Sequence, residues 1–155
     1  MELLEKLSQS LTQRGRLLGQ LATVTGRMQG LADRLVRHAE LCVYPQNKAR
    51  IEEVATAIKT HLKILNTILS ENRVWARLPQ MPAHQGSNIW ERISADQILL
   101  SRLYLELNQQ AVRWQAVDAN VAERLWSVVN EQIALIDVLQ EIAARSDPQF
   151  GLTGG

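Results

Sequence analysis

Cysteine is nearly missing from this chain: Cys42 stands alone among 155 residues. No internal disulfide can form, so stability has to come from packing, and a reducing compartment is the natural setting. Long apolar runs are missing as well, since none reaches the roughly 18 residues of a membrane span. The opening MELLEKLSQS puts acidic residues where a secretory leader carries a positive segment and then an unbroken apolar one. The expectation is a cytoplasmic protein with no membrane partner. The period-two alternation of half-buried strands appears nowhere. There is no Gly-x-x-x-x-Gly-Lys-Ser/Thr loop, no Gly-x-Ser-x-Gly elbow and no strand to present either one.

Metal-ligand patterns are absent too. Cys-x-x-Cys, His-Glu-x-x-His and Glu-x-x-His do not occur, and the lack of the last excludes the usual carboxylate-bridged di-iron bundle. His38 and Cys42, four apart on one helix face, could offer two ligands together with His61 and His84, but nothing completes a site. Cys42 reads instead as a small core residue. His61, within Lys59-Thr60-His61-Leu62-Lys63, lacks the small residue that follows the lysine in phosphotransfer bundles, and reads as a boundary histidine with a local partner. The sequence therefore predicts no catalytic residue, no metal, no cofactor, no small-molecule substrate and no enzymatic activity.

What is present is helical periodicity. The hydrophobic share of 46% and the charged share of 21% are those of a globular domain. Leu4, Leu7, Leu11, Leu18, Leu21, Met28, Leu35 and Cys42 follow steps of three and four, predicting a helix over 2–42. Pro45 should stop it and Asn47 cap the next, over 48–77, whose face carries Ile51, Val54, Ile58, Leu62, Leu65 and Leu69. The stretch LPQMPAHQGSN is a loop. Asn88 and Glu91 form a capping box for a third helix over 89–117. No glycine or proline separates Ser94 from Ser146, but one rod of that length would exceed about 70 Å, so a break near Asp118 is expected, with Asn120 and Glu123 capping a fourth helix over 119–145. The predicted fold is all-α, an antiparallel bundle of about four helices over 1–146, followed by a flexible tail over 147–155 with linker composition.

Two features stand out on the helices. Gly15, Gly19, Ala22, Gly26 and Gly30 form a line of small residues on helix 1, which either admits another helix closely or marks a kink. Trp75, Trp90, Trp114 and Trp126 read as core or loop anchors, with a stacking platform for bases as the lesser alternative.

Charge is segregated along the chain. Residues 1–92 hold 13 Lys/Arg and 8 Asp/Glu, net +5, whereas residues 93–155 hold 4 and 8, net −4. On a helical wheel Arg16, Arg27 and Arg34 fall together opposite the leucines, predicting one exposed stripe. Lys48, Lys59, Lys63, Arg73 and Arg77 gather on one flank of helix 2, with Glu53 and Glu71 on the other. On helix 4, Glu123, Asp137 and Glu141 line up opposite the apolar face and are expected to meet protein. Segregation by sign suggests phosphate contact on the basic side, or copies meeting basic face to acidic face.

In length, helical content and an Arg/Lys-studded half holding Arg16, Arg27, Arg34, Lys59 and Lys63, the chain resembles the helical small subunit of a multi-subunit CRISPR Cascade complex. That resemblance implies no catalysis, a role lining a nucleic-acid channel and binding strand backbone, and copies that stack along a filament. The expected partners are other protein subunits, nucleic-acid backbone and further copies of the chain. The alternative is a helical chaperone or adaptor, of the secretion or phage-assembly type, whose apolar groove beside the glycine line or the Leu78–Asn88 loop holds a partner helix.

Overall fold

The computed structural model describes residues 2–79 and 86–147. They form four helices, α1 (Glu2–Glu40), α2 (Pro45–Glu71), α3 (Ile89–Trp114) and α4 (Ala119–Arg145), as an all-α bundle. The tail residues 148–155 lie outside the described residues, as do 80–85 of the predicted loop and with them His84.

The ends of the helices follow local chemistry, and three differ from the sequence expectation. Pro45 opens α2 rather than closing α1, because a residue without an N–H is best placed at the first helical position. Asn47 is thus inside the helix, and the capping residue, Tyr44, contributes no side-chain bond. α2 stops at Glu71, short of Arg77. There Arg73 adopts a left-handed conformation, φ 58°, and its N–H donates to Ser70 O while that of Val74 donates to Leu69 O. This is the paired-bond helix stop that glycine usually supplies. At α4 the cap is Asp118, whose carboxylate accepts from the N–H groups of Asn120 and Val121, so Asn120 does not cap. The Asn88 box forms as the sequence predicts: Asn88 Oδ1 accepts from Glu91 N at 2.9 Å, and Glu91 Oε2 accepts from Ser87 N at 2.7 Å.

Each helix packs on two others in the ring order α1, α2, α4, α3. Contacts along α1 and α3 run in opposite directions, His38 with Asp96 and Gln20 with Gln110. Along α2 and α4 Arg50 meets Glu141 and Arg124 meets Glu71. Neighbours are therefore antiparallel, while α2 and α3, diagonal to each other, run the same way. The 72–88 connection consequently has to return the length of the bundle instead of turning tightly.

That return explains part of the glycine line. Arg77 N–H donates to Ala22 O at 3.0 Å, and a Cβ on Gly26 would lie 1.6 Å from Arg77 O. The chain after α2, not another helix, makes the close approach. Nothing lies within 4 Å of a Cβ built on Gly15 or Gly19, and α1 is continuous through all of them.

The core is the interdigitated apolar face of all four helices, with Leu21, Met28, Leu35, Ile58, Leu65, Leu107, Leu125 and Leu139 fully enclosed. Trp114 closes one end. Its indole N–H donates to Gln110 Oε1 at 3.0 Å, and the Arg14 guanidinium sits 5.3 Å from its ring centroid. Arg14 also donates to Asn72 Oδ1 at 2.8 Å and to Asp118 Oδ2 at 3.3 Å, tying the start of the packed part of α1 to the end of α2 and the start of α4. Below Arg14 the helix leaves the bundle. Residues 2–13 are all exposed, so Leu4, Leu7 and Leu11, which share the periodicity of the core leucines, do not join the core.

Candidate nucleic-acid interface

The segregated charge has an internal explanation first. α1 and α2 form one hairpin, α3 and α4 the other, and among the described residues the ion pairs seen between helices cross from one hairpin to the other. Arg14 meets Asp118, Arg27 meets Glu106 at 3.0 Å, Arg34 meets Asp96 at 2.9 Å and Arg50 meets Glu141 at 2.8 Å. His38 Nδ1 also contacts Asp96, and His61 Nε2 lies 2.7 Å from Glu131. Among the described residues Arg124–Glu71 runs in the opposite sense. Most acidic groups of the second half are thus met from the first half, which keeps a surplus of cations.

This corrects the expected stripe on α1. Arg34 is mostly enclosed and shares the fully buried carboxylate of Asp96 with His38, because α3 packs on the flank where the wheel places solvent. Arg27 is spent on Glu106. Of these three arginines only Arg16 is exposed with no ion pair among the described residues. Glu141 is exposed and is held within the molecule by Arg50 and Arg145, and the Arg50 hydrogen bond and charge keep its carboxyl below its ordinary value. Glu123 and Asp137 remain exposed on α4. Asp137 borders an apolar groove of about 370 Å³ between α3 and α4, lined by Tyr104, Leu105, Ile133 and Ile136.

The histidine expectations also shift. His61 is buried on α2, and its partner Glu131 is on α4 rather than nearby in sequence. His38 is held by Asp96. Among the described residues no group of three or more His, Cys, Asp or Glu side chains could hold a metal ion, and no helix is long and apolar enough to cross a membrane.

On α2 and beyond, the predicted cations stay open. Lys48, Lys59, Lys63, Arg73 and Arg77 are exposed and form no ion pair among the described residues. Glu52, four residues after Lys48, interrupts the row on α2. Lys59 and Lys63 border a shallow groove of about 800 Å³, walled by Gln29 of α1, by Asn66, Thr67 and Ser70 of α2, and by Val74 and Trp75. The segment that follows α2 alternates. Val74 and Ala76 turn onto the core, while Arg73, Trp75 and Arg77 are exposed. Trp75, read from sequence as an anchor, is 75% exposed. The outward face of this segment is therefore cation, indole, cation, beside two lysines, and the segment is pinned to α1 by the Arg77–Ala22 bond and the cleft over Gly26.

An arrangement of this kind suits a flexible polyanion with aromatic bases. Cations meet phosphate, and an indole face offers a surface on which any base can stack. The helical period, carried through to Arg77, hides the exposure of Trp75 and leaves base stacking as the lesser reading of it. The one available signal was Asn72-Arg73, a helix stop without glycine or proline. Comparisons with protein-family models, curated proteins and solved structures find no match to this chain.

Proposed function

We propose that this protein is a non-catalytic subunit of a nucleoprotein assembly, holding a single nucleic-acid strand across α2 and the segment that follows it. The observation that supports it is the outward set Arg73, Trp75 and Arg77 alongside Lys59 and Lys63. These cations remain available, whereas Arg14, Arg27 and Arg34 of α1 are engaged in internal pairs. The reading keeps the backbone-binding role of the helical Cascade small subunits that the chain resembles, and moves it from α1 to α2. Sequence discrimination is not expected, because phosphate contacts and stacking are indifferent to base identity.

The test is titration of single-stranded oligonucleotides at several salt concentrations, followed by tryptophan fluorescence. Wild type should bind with a salt slope near 0.7 for each phosphate neutralised. Lys59→Ala with Lys63→Ala should lower that slope by about 1.4, and Trp75→Ala should weaken binding by roughly 1 to 3 kcal/mol. Wild-type affinity in both variants, with the fold intact, would reject the reading. A second reading, an adaptor for protein, is favoured by the apolar groove of Leu105, Ile133 and Ile136 beside Asp137. It predicts a partner lost on Leu105→Asp and retained on Trp75→Ala.

A further inference from the structure

We propose that the groove beside Trp75 selects RNA over DNA, with Thr67 and Ser70 of α2 accepting hydrogen bonds from ribose 2′-hydroxyls. The inference rests on the strand-binding reading above and deepens it by naming the sugar. Lys59, Lys63, Asn66, Thr67 and Ser70 wall the groove along α2, and no carboxylate lines it among the described residues. Thr67 and Ser70 are exposed, one and two turns beyond Lys63. Both hydroxyl protons are already engaged within the helix. Thr67 Oγ1 donates to Lys63 O at 2.7 Å, and Ser70 Oγ donates to Thr67 O at 3.1 Å. Each oxygen therefore has only lone pairs to offer a ligand. The other two polar groups set no preference: Gln29 donates one amide hydrogen to Asp33 Oδ1 at 3.1 Å and keeps another, and the Asn66 amide can donate or accept.

A wall that only accepts sorts the parts of a strand. Phosphate oxygens are acceptors themselves and carry charge, so they go to the ammonium groups of Lys59 and Lys63. A base stacks on Trp75 through its π face, whatever sugar it carries. The sugar links phosphate to base, and the two hydroxyls share one groove with the lysines and the indole, so the sugar is the part they meet. A ribose 2′-OH can donate to Thr67 Oγ1 and Ser70 Oγ. The CH2 at the same place in deoxyribose cannot, and it displaces water from both oxygens without replacing the bonds. Amino groups on bases are the other donors to consider. Uracil has none, so a uracil strand isolates the contribution of the sugar.

Titration of the full chain with oligouridine, oligodeoxyuridine and 2′-O-methyl oligouridine of equal length, at one salt concentration, tests this. Two ordinary hydrogen bonds should make the ribose strand bind about 5 to 30 times more tightly than the deoxyribose strand. The 2′-O-methyl strand, which keeps a ribose ring but has lost the donor, should bind no better than the deoxyribose one. Thr67→Val with Ser70→Ala removes both acceptors from exposed positions, so circular dichroism should be unchanged and the ribose preference should fall to less than about twofold, with affinity for oligodeoxyuridine retained. Thr67→Ser with Ser70→Thr keeps both oxygens and should keep the preference. Equal affinity of wild type for the ribose and deoxyribose strands would overturn the selection of RNA and leave strand binding standing, whereas no binding of either would remove both. A preference that survives the double substitution or 2′-O-methylation, or oligodeoxycytidine binding as tightly as oligouridine, would show that the hydroxyls do not read the sugar and would equally overturn the proposal.

Discussion

Replacing Gly26 with alanine tests the link between the glycine line and the exposed segment. A Cβ at that position would fall 1.6 Å from Arg77 O and 2.5 Å from Arg77 C. Both are backbone atoms, so no side-chain rotation relieves the overlap, and the segment must withdraw by about 2 Å to reach ordinary contact. Withdrawal breaks the Arg77 N–H bond to Ala22 O, a loss of about 1 kcal/mol, and lifts the half-buried Val74 and Ala76 from the core. Alanine gains about 0.5 to 1 kcal/mol over glycine within a helix. The net expectation is destabilisation of about 1 to 2 kcal/mol, which lowers Tm by roughly 2 to 8 °C for a chain of this size. Gly19→Ala is the internal control. A Cβ there meets nothing within 4 Å, so the helix gain stands alone and Tm should rise by about 1 to 4 °C. Thermal unfolding followed at 222 nm reads both, and the Trp75 emission should change in Gly26→Ala only. A Gly26→Ala protein as stable as Gly19→Ala would refute the close approach, and with it the pinning of Arg73, Trp75 and Arg77.

Other outcomes follow from the same packing. Asp96→Ala, which leaves the enclosed Arg34 and His38 without their shared carboxylate, should cost about 3 to 5 kcal/mol in urea unfolding, as breaking a buried pair does; a loss under about 1 kcal/mol would count against that burial. Asp118→Ala removes the α4 cap and a partner of Arg14, and should cost about 1 kcal/mol. Burial pushes the Asp118 carboxyl up, but hydrogen bonds from Val121 N–H and Arg14 outweigh it and hold the carboxyl below its ordinary value. Its contribution is therefore present above the unfolded carboxylate pKa and lost as pH falls through the lower folded one. A plot of Tm against pH should fall less steeply below about pH 4 in Asp118→Asn than in wild type, and parallel curves would contradict this.

Much of the fold is legible in the sequence because it is local. The apolar periodicity that defines four helices and the Asn88 box depend on residues within a few positions of one another. Other features needed a partner the chain supplies from far away. The wheel places Arg27 and Arg34 opposite the leucines of their own helix, but α3 comes to lie on that flank, and the residues that meet them, Glu106 and Asp96, are about 60 to 80 positions distant. Periodicity likewise assigns Leu4, Leu7 and Leu11 to an apolar face without saying whether this molecule covers it. The Arg73 stop is invisible to any rule that waits for glycine, and it alone turns Trp75 from a helix residue into an outward-facing one.

The distribution of ion pairs also bears on how the chain reaches its fold. Contacts within each hairpin are mainly apolar and can form before the two hairpins meet. The pairs at Arg27, Arg34 and Arg50 join one hairpin to the other, so two bodies carrying opposite net charge must find each other while tethered by a long connection. Attraction between them speeds that encounter in dilute buffer and fades as salt shortens its range. Refolding should thus slow as salt is raised from about 0.01 to 0.5 M, with unfolding far less affected. The asymmetry of charge that looks at first like a mark of an external partner is, in this respect, an instruction for the two halves to recognise one another.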